Sequence, residues 1–385
     1  MKNSYWPDAY LRLHPQAAIK KLELPYIYHA VKDELYEIDE STLDFLTRCD
    51  GSSRGAELTT DGPFVTFCLS EGILEALDQP ALLPLPIGVA PVPSLRYLEL
   101  QLTRRCNLRC RHCYLAEMRS EDLPLEDALA IIRQFSSHGG LRLLISGGEP
   151  LLYPYLKDFI AETDNMQLRR VLLTNGTLIT DQNASWLHVE EIQFSLDGWL
   201  HGHDLIRGPG SFDLTMRGIQ ASRLSGIPIS IATMIHSGNV NEFKEIQRFT
   251  NEIQATEWGV DIPCVTGALD RNRDLIVPYK EAIQYLEYAY GGGYHGSSDG
   301  YACGRHLMTV TPSGSAVKCG FYDDAPLGDA RQDLISCWLH LRHTPLDALD
   351  CKSCAVVEEC RGGCRFRAPH PLAPDPAMCA LYRIE

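Results

Sequence analysis

Between residues 95 and 290 the sequence alternates between strand-like and helix-like segments, and this alternation constrains the fold more than any other feature. The predicted strands are 97–103, 141–146, 171–174, 192–196, 228–234 and 258–262. The predicted helices between and after them are 124–137, 153–163, 181–187, 212–225, 241–253 and 278–290. Six successive strand–helix units predict a parallel sheet with right-handed crossovers. They are too few for a closed eight-stranded barrel, so the pattern alone leaves a partly open barrel and a doubly wound sheet.

The sequence on either side of this region has a different character. Residues 1–80 predict a small α+β domain, with strands at 25–29 and 34–38 and helices at 41–49 and 64–77. Residues 81–94 are a proline-rich linker, because closely spaced prolines favour extended chain over helix or central strand. We therefore predict domains at 1–80, 95–292 and 293–385. The last of these is rich in Cys, Gly and Pro, with one predicted helix near 333–341.

Composition bounds the partners and the compartment. The 385 residues carry a formal net charge of −15, which disfavours nucleic acid or an anionic membrane as a partner. No apolar run approaches the ~20 residues that cross a bilayer, and the first residues lack the apolar core of a signal peptide. We expect a cytoplasmic protein that binds neither nucleic acid nor membrane.

The 14 cysteines are mostly clustered. A reducing compartment opposes structural disulfides, so clustered cysteines there more often bind metal or do redox chemistry. Four cysteines stand apart from the clusters and are expected to be ordinary buried thiols: Cys49, Cys68, Cys264 and Cys337.

The sharpest motif is the triplet Cys106, Cys110 and Cys113, which directly follows the first predicted strand. Three thiolates on a short loop can hold three irons of a 4Fe–4S cluster and leave the fourth iron open to another ligand. A zinc site is the alternative, but closed zinc sites usually take four protein ligands and prefer C-x2-C pairs. The spacing favours the cluster.

This C-x3-C-x2-C spacing, with His112 where an aromatic residue usually stands, resembles the signature of the radical SAM enzymes. The resemblance implies that the open iron binds the amino and carboxylate groups of S-adenosylmethionine. It also implies that reductive cleavage yields a 5′-deoxyadenosyl radical, which abstracts hydrogen from a substrate.

Motifs at the next three strand ends are similar to the family's cofactor-binding segments. They contribute Gly147, Gly148, Glu149 and Pro150 after the second strand, Asn175 after the third, and Ser195 and Asp197 after the fourth. The resemblance implies that the Gly-Gly-Glu-Pro segment holds the methionine amino group, and paired glycines let the backbone approach a ligand closely. Arg217, on the following helix, is the candidate partner of the cofactor carboxylate. Together the matches imply an α/β fold, a partial (β/α)6 barrel with its site at the carboxyl ends of the strands.

The seven carboxyl-terminal cysteines follow a second pattern, which resembles the SPASM domain and its auxiliary 4Fe–4S clusters. The family's ligand pairing implies one cluster on the Cys351 group, defined as Cys351, Cys354, Cys360 and Cys379, and another on the Cys303 group, defined as Cys303, Cys319 and Cys364. Three 4Fe–4S clusters are thus predicted, one catalytic and two auxiliary, with two zinc sites as the alternative to the auxiliary pair. The fourth ligand of the Cys303 group stays open between His295, Asp299 and the substrate.

Residues 1–80 resemble a peptide-recognition element like the small chaperone of pyrroloquinoline quinone biosynthesis, which implies that a leader peptide adds to a sheet edge. A simple cap on the barrel is the alternative.

The predicted protein is a radical SAM oxidoreductase or maturase that oxidises, crosslinks or epimerises a ribosomally made peptide, with flavodoxin or ferredoxin as electron donor. The alternatives are the modification or decarboxylation of a tetrapyrrole or another small molecule, and a non-catalytic Fe–S carrier or scaffold.

Overall fold

The computed structural model describes residues 5–85, 87–115, 119–293, 295 and 300–384. Its amino-terminal part contains small sheets covered by short helices. The strands are β1 (Tyr10–Leu13), β2 (Ala17–Lys21), β3 (Pro25–His29), β4 (Glu34–Glu37), β5 (Asp50–Arg54), β6 (Leu74–Leu77) and β7 (Ile87–Val89). The helices are α1 (Glu40–Thr47), α2 (Gly55–Leu58) and α3 (Gly62–Ser70). One sheet has the order β5-β1-β6 and the other has the order β4-β3-β2-β7.

Strands β3 and β4 and helix α1 confirm the sequence predictions for this part, but the predicted helix at 64–77 is wrong in its second half. Helix α3 ends at Ser70, and Gly72 takes a φ of +71°, a conformation that favours glycine. The chain then enters β6, which pairs antiparallel with β1. Within the predicted linker, β7 pairs with β2 at the edge of its sheet, where flanking prolines are tolerated.

The centre of the described structure is a run of parallel strands. They are β8 (Tyr97–Gln101), β9 (Arg142–Ser146), β10 (Arg169–Thr174), β11 (Glu191–Ser195), β12 (Ile229–Met234) and β13 (Glu257–Asp261). The helices of this region are α4 (Leu125–Ser137), α5 (Leu156–Thr163), α6 (Asp181–Ala184), α7 (His201–Arg207), α8 (Ser211–Leu224), α9 (Phe243–Glu252) and α10 (Tyr279–Ala282). Neighbouring strands are parallel and follow chain order. A doubly wound sheet reverses its strand order, so the partial barrel is confirmed.

Sequence patterns predicted these strands to within a few residues and missed helix α7. The last predicted helix of the region, 278–290, is α10 followed by a 3-10 helix over Ile283–Tyr288.

The carboxyl-terminal part continues the same sheet. Strand β14 (Leu307–Val310) pairs parallel with β8 and is followed by β15 (Ser315–Val317) and β16 (Gly328–Asp329). Its helices are α11 (Ala330–His340), α12 (Val357–Cys360) and α13 (Pro376–Leu381). Helix α11 is kinked at Asp333, whose φ of −158° is not helical, so its main part begins where the sequence predicted it. Residues 330–332 form a separate turn before the kink, and the Asp329 carboxylate accepts the Arg331 N–H there. The domain boundaries drawn from the sequence remain predictions.

The apolar core lies between the sheet and the helices that cover its outer face. Leu98, Leu143 and Phe194 of the strands and Phe135 of α4 are fully buried in it. The inner face instead lines a cavity of about 980 Å³, which extends from Asp33 and Arg142 at the amino ends of the strands to Asp197 and Arg207 at the carboxyl ends. Six strands do not close a barrel, so its interior is not filled by side-chain layers as in an eight-stranded one.

Buried charges attach the amino-terminal part to the amino ends of the barrel strands. Asp33 pairs with Arg142 of β9, and Arg169 of β10 donates to the Val31 carbonyl at 2.8 Å. Lys20 of β2 is buried, and its Nζ donates to the carbonyls of Gly140 at 2.8 Å and Gln167 at 3.1 Å. Burial lowers the pKa of Lys20 from 10.5 to about 7, because removing the ammonium from water disfavours the charged form.

This lysine makes stability depend on pH in a defined direction. Between pH 7 and 10.5 the unfolded chain binds the Lys20 proton and the folded chain does not, so stability should rise with pH by up to about 1.4 kcal/mol per pH unit. We expect Lys20→Met to lack this rise. The measurement is the free energy of unfolding of each protein, determined anaerobically between pH 7 and 10.5. Lys21→Met, on the exposed neighbour, should behave as wild type. Parallel pH profiles for wild type and Lys20→Met would contradict the expectation.

Candidate active site

The cysteine triplet lies on the loop that leaves the carboxyl end of β8, and all three side chains are half-buried. The segment after β9 pairs with this loop through its backbone. Gly148 N–H donates to the Thr103 carbonyl and Glu149 N–H to the Arg105 carbonyl, both at 2.8 Å. The loop that carries the cysteines is therefore held in place before any ligand binds.

The backbone contact with the cysteine loop requires both glycines, a reason that the sequence did not predict. A Cβ at Gly147 would lie 2.4 Å from the Thr103 carbonyl oxygen, and one at Gly148 would lie 2.3 Å from the Arg105 carbonyl oxygen. Any side chain at either position would displace the loop that precedes Cys106.

Glu149 joins the ends of the second and third strands of the barrel. Its carboxylate is fully buried and accepts the Thr174 hydroxyl at 2.7 Å, the Asn175 N–H at 2.9 Å and the Leu151 N–H at 3.2 Å. Burial raises the pKa of Glu149, while these hydrogen bonds oppose the shift. Pro150 is buried beside it and begins a 3-10 turn.

The third strand end also binds the cysteine loop. The Asn175 side-chain amide donates to the Asn107 side-chain carbonyl at 3.0 Å, and the Asn107 amide donates to the Thr177 hydroxyl at 2.8 Å. The predicted site residues of the first three strand ends thus form one connected hydrogen-bond network.

Asp197, at the end of β11, is the buried anion of the site. Its carboxylate accepts Arg207 Nε at 2.6 Å and the Met234 N–H at 2.8 Å. Burial alone would raise the pKa of Asp197, but the Arg207 guanidinium, His112 and the Met234 N–H together hold it well below its usual range. Ser195, Asp197 and Arg207 all line the cavity, so the carboxyl end of the barrel presents a buried ion pair to it.

Histidines surround this ion pair. His112 Nε2 lies 3.6 Å from an Asp197 carboxylate oxygen, and His236 Nε2 donates to the Asp197 backbone carbonyl at 2.7 Å. His203 Nδ1 accepts the Asp197 N–H at 3.3 Å. Burial lowers the pKa of both His112 and His203 to about 4, so both rings are neutral near pH 7. Among the described residues, His112 Nδ1 and His203 Nε2 are buried without a hydrogen-bond partner.

The structure does not bring Arg217 to this site. Its side chain is exposed and Nε donates to the Asp213 carbonyl of its own helix at 3.3 Å. Arg207 is the arginine that lines the cavity at the carboxyl ends of the strands. The signal that could have identified it is the Arg-Gly pair that follows the fourth strand, because Arg207 is the last residue of helix α7 and Gly208 caps it.

The thiols within each of the two predicted carboxyl-terminal cysteine groups influence one another electrostatically. Burial, and then the thiols of Cys351, Cys379 and Cys354, raise the pKa of Cys360. Burial and then the thiols of Cys303 and Cys364 raise the pKa of Cys319 to about 11.

The structure places a new thiol beside the Cys303 group and gives other partners to one candidate for its fourth ligand. Cys264, expected to be an isolated thiol, has its Sγ 3.8 Å from that of Cys364. His295 bonds through Nε2 to the Asp33 carbonyl at 2.7 Å and through Nδ1 to the Tyr97 hydroxyl at 3.1 Å, so both ring nitrogens have partners. Asp299 lies outside the described residues.

The donor sets fit Fe–S clusters by their chemistry, since all ten predicted ligands are cysteines. In the described part of the chain, no three Cys, His, Asp or Glu side chains converge on a point where one metal ion could sit. A four-iron cluster does not require such convergence, because each thiolate binds a different iron.

An aromatic contact connects the triplet to the Cys303 group. Tyr114 follows Cys113, and its ring centroid lies 5.3 Å from that of Phe321, which follows Cys319 closely in sequence. Arg104, just before the triplet, pairs with Asp323 at 2.6 Å. The carboxyl-terminal part is therefore docked against the cysteine loop of the barrel.

Comparison with known proteins agrees with this site. Residues 100–250 match the family model of the Radical SAM superfamily. An AdoMet-dependent heme synthase of Oleidesulfovibrio alaskensis is 32% identical over 207 residues, covering 51% of this chain and 53% of that protein. The mycofactocin maturase MftC of Mycobacterium tuberculosis is 27% identical over 321 residues, covering 72% of this chain and 81% of that protein. The chain thus spans about half the length of the heme synthase that it matches.

A solved structure extends the likeness of fold to almost the whole chain. Streptococcus suis SuiB, bound to its precursor peptide SuiA, has a TM-score of 0.69 at 16% identity, covering 96% of this chain and 99% of that one. The resemblance deduced from the cysteine triplet is confirmed by the family match, which implies S-adenosylmethionine and a 4Fe–4S cluster as cofactors.

Of the helices in the described ranges, none combines the length and the apolar content that a bilayer crossing requires.

Gly148→Ala should displace the cysteine loop and cost the first cluster, about four irons per chain. The physical reason is the 2.3 Å distance from the added Cβ to the Arg105 carbonyl oxygen. Gly259→Ala is the matched control, because its Cβ would meet no atom closer than 3.8 Å. Iron content after anaerobic purification checks the expectation, and full iron content in Gly148→Ala would rule it out.

Proposed function

The chain carries a radical SAM domain at residues 100–250, and from that premise we propose that it is an enzyme that cleaves S-adenosylmethionine reductively and removes a hydrogen atom from a substrate. The observation that supports this most is the network at the carboxyl ends of the strands, which holds three half-buried cysteines beside a cavity of about 980 Å³. When bound, the cluster and S-adenosylmethionine supply one-electron cleavage of the sulfonium bond and hydrogen abstraction by the adenosyl radical.

The residues of the site have distinct roles in this proposal. Cys106, Cys110 and Cys113 hold the catalytic cluster. A carboxylate offers about four acceptor positions, and Thr174, Asn175 and Leu151 use three of those on Glu149. The remaining position suits the ammonium group of the cofactor.

Arg207 takes the role that the sequence assigned to Arg217. It faces the cavity as a guanidinium that is permanently charged, and its partner Asp197 stays ionised beside it. Arg207 can therefore orient the cofactor carboxylate. The Asp197 carboxylate can accept hydrogen bonds from the ribose hydroxyls, and the neutral His112 can accept or donate one.

The direct test is the release of 5′-deoxyadenosine from S-adenosylmethionine by the anaerobic, reduced protein. We expect Cys110→Ala to abolish release, because two thiolates do not retain the catalytic cluster. Cys337→Ala, which removes a buried thiol of α11, is the matched control and should retain it. Wild-type protein with its full complement of iron that releases none would favour the carrier or scaffold alternative.

For the substrate, we propose a ribosomally made peptide that is oxidised, crosslinked or epimerised. Support comes from the likeness to SuiB, which covers 96% of this chain and therefore includes most of residues 1–80, whereas the heme synthase match covers 51% of the chain. SuiB was solved with a precursor peptide bound. In the described residues β4 pairs only with β3, so its other edge can accept an added strand. Tyr36 of β4 contacts Phe67 of α3, and the two side chains form an apolar patch beside that edge.

The free edge of β4 gives a specific test. Ile38 N–H donates to the Pro25 carbonyl, so by alternation the Glu37 N–H faces away from β3. Glu37→Pro removes that donor without breaking the β3–β4 ladder and should weaken binding of a cognate leader peptide by about tenfold, roughly 1.4 kcal/mol. Glu37→Ala removes the same carboxylate, keeps the N–H and should bind normally. Equal affinities for both variants, measured by fluorescence anisotropy with candidate leader peptides, would place peptide binding elsewhere.

A tetrapyrrole is the second candidate substrate, because the heme synthase match reaches 32% identity over 207 residues. Deuterium transfer into 5′-deoxyadenosine from labelled peptide or labelled tetrapyrrole distinguishes the two. The same proposal includes auxiliary clusters on the Cys303 and Cys351 groups, flavodoxin or ferredoxin as electron donor, and a cytoplasmic location.

A further inference from the structure

Cys264 lies beside Cys364, one member of the Cys303 group. It is buried shortly after β13 ends at Asp261, and its Sγ is 3.8 Å from the Sγ of Cys364. The fourth ligand of that group is the one that the sequence pattern left open, and His295 has partners on both ring nitrogens.

A buried ion pair holds the two cysteine loops together. Arg367 pairs with the buried carboxylate of Asp375 at 2.7 Å, and Asp375 also accepts the Cys364 N–H at 2.8 Å. Arg367 in addition donates to the Ile262 carbonyl at 2.7 Å. Because Ile262 closely precedes Cys264, this one arginine places both thiols in the same pocket.

The other sulfurs of the pocket already have the surroundings of cluster ligands. Backbone N–H groups of Arg365 and Phe321 donate to the sulfurs of Cys303 and Cys319, respectively. Such N–H···S bonds stabilise thiolates and help to set the potential of a bound cluster. Cysteine is also the usual fourth ligand, because a 4Fe–4S cluster takes one thiolate per iron.

We propose that Cys264 is the fourth ligand of a 4Fe–4S cluster on the Cys303 group, an inference that rests on the proposed auxiliary cluster at that site. The thiol loses its proton to solvent as the Fe–S bond forms. The cluster then has no open iron, so it transfers electrons and does not bind the substrate.

The segment that carries Cys264 also contacts the catalytic cysteine loop, which supports an electron-transfer role for the proposed cluster. Ala268 N–H donates to the Cys113 carbonyl at 2.8 Å, and a Cβ on Gly267 would lie 2.4 Å from that oxygen. The segment from Cys264 to Ala268 therefore contacts the catalytic cysteine loop at one end and the Cys303 group at the other.

The experiment uses full-length protein in which Cys106, Cys110 and Cys113 are all changed to Ala, so that only auxiliary clusters remain. This parent should hold about eight irons. Cys264→Ser is added to it, with Cys337→Ser, at an isolated buried thiol of α11, as the matched control. Each protein is oxidised mildly with ferricyanide under argon and examined by EPR for the 3Fe–4S form, which a cluster produces when it loses an iron that no cysteine holds.

The parent and Cys337→Ser should show no 3Fe–4S signal, whereas Cys264→Ser should show it and lose about one iron per chain. Iron retained on the Cys351 group reports that Cys264→Ser is folded. A 3Fe–4S signal of equal size in parent and Cys264→Ser, or its absence from both, would overturn the proposal. About four irons in the parent would instead show that the auxiliary cluster itself is missing, and this outcome refutes the proposed cluster as well as its fourth ligand.

Discussion

The packing of two strand ends against each other, without side chains between them, is the constraint on which the site depends. Gly147 and Gly148 bring the end of β9 against the carbonyl groups of Thr103 and Arg105, and two backbone hydrogen bonds fix the contact. The cysteine loop begins directly after this contact. A loop of three thiolates could otherwise take many conformations, and ordering it would cost conformational entropy each time a cluster formed. The fold already orders the loop, so cluster formation does not carry that entropic cost.

The incomplete barrel explains why a cavity lies beside this loop. Eight strands would fill their interior with layers of side chains, but here the inner face of the sheet lines about 980 Å³ of open space. Charged groups occupy both ends of it, with Asp33 and Arg142 at one end and Asp197 and Arg207 at the other. Because each of these four charges is paired, they give the cavity polarity at a low cost of burial. Such a space can orient a charged cofactor and exclude water from radical chemistry.

The carboxyl-terminal part, although poor in regular structure, is tightly integrated with the barrel. Strand β14 extends the central sheet, Arg104 pairs with Asp323, and Arg367 bonds to the end of β13. Each of these contacts lies next to a cysteine loop. The relative positions of the cysteine groups are therefore set by the protein and do not depend on the clusters alone.

The sequence by itself determined that the central strands are parallel, and it located the cysteine triplet and the strand-end motifs. These signals are local, because each depends on hydrophobic periodicity or on a fixed spacing within a few residues. It did not identify the strand at Leu74–Leu77, because the strand it pairs with, β1, lies far earlier in the chain. Nor did it distinguish Arg207 from Arg217, since both follow the fourth strand and only the helix α7 decides which one faces the cavity. The clearest case is Cys264, which is isolated in sequence and lies beside Cys364 in space. Only the tertiary structure decides such pairs, because a contact between residues a hundred positions apart depends on how the strand ends and the buried Arg367–Asp375 pair fold together.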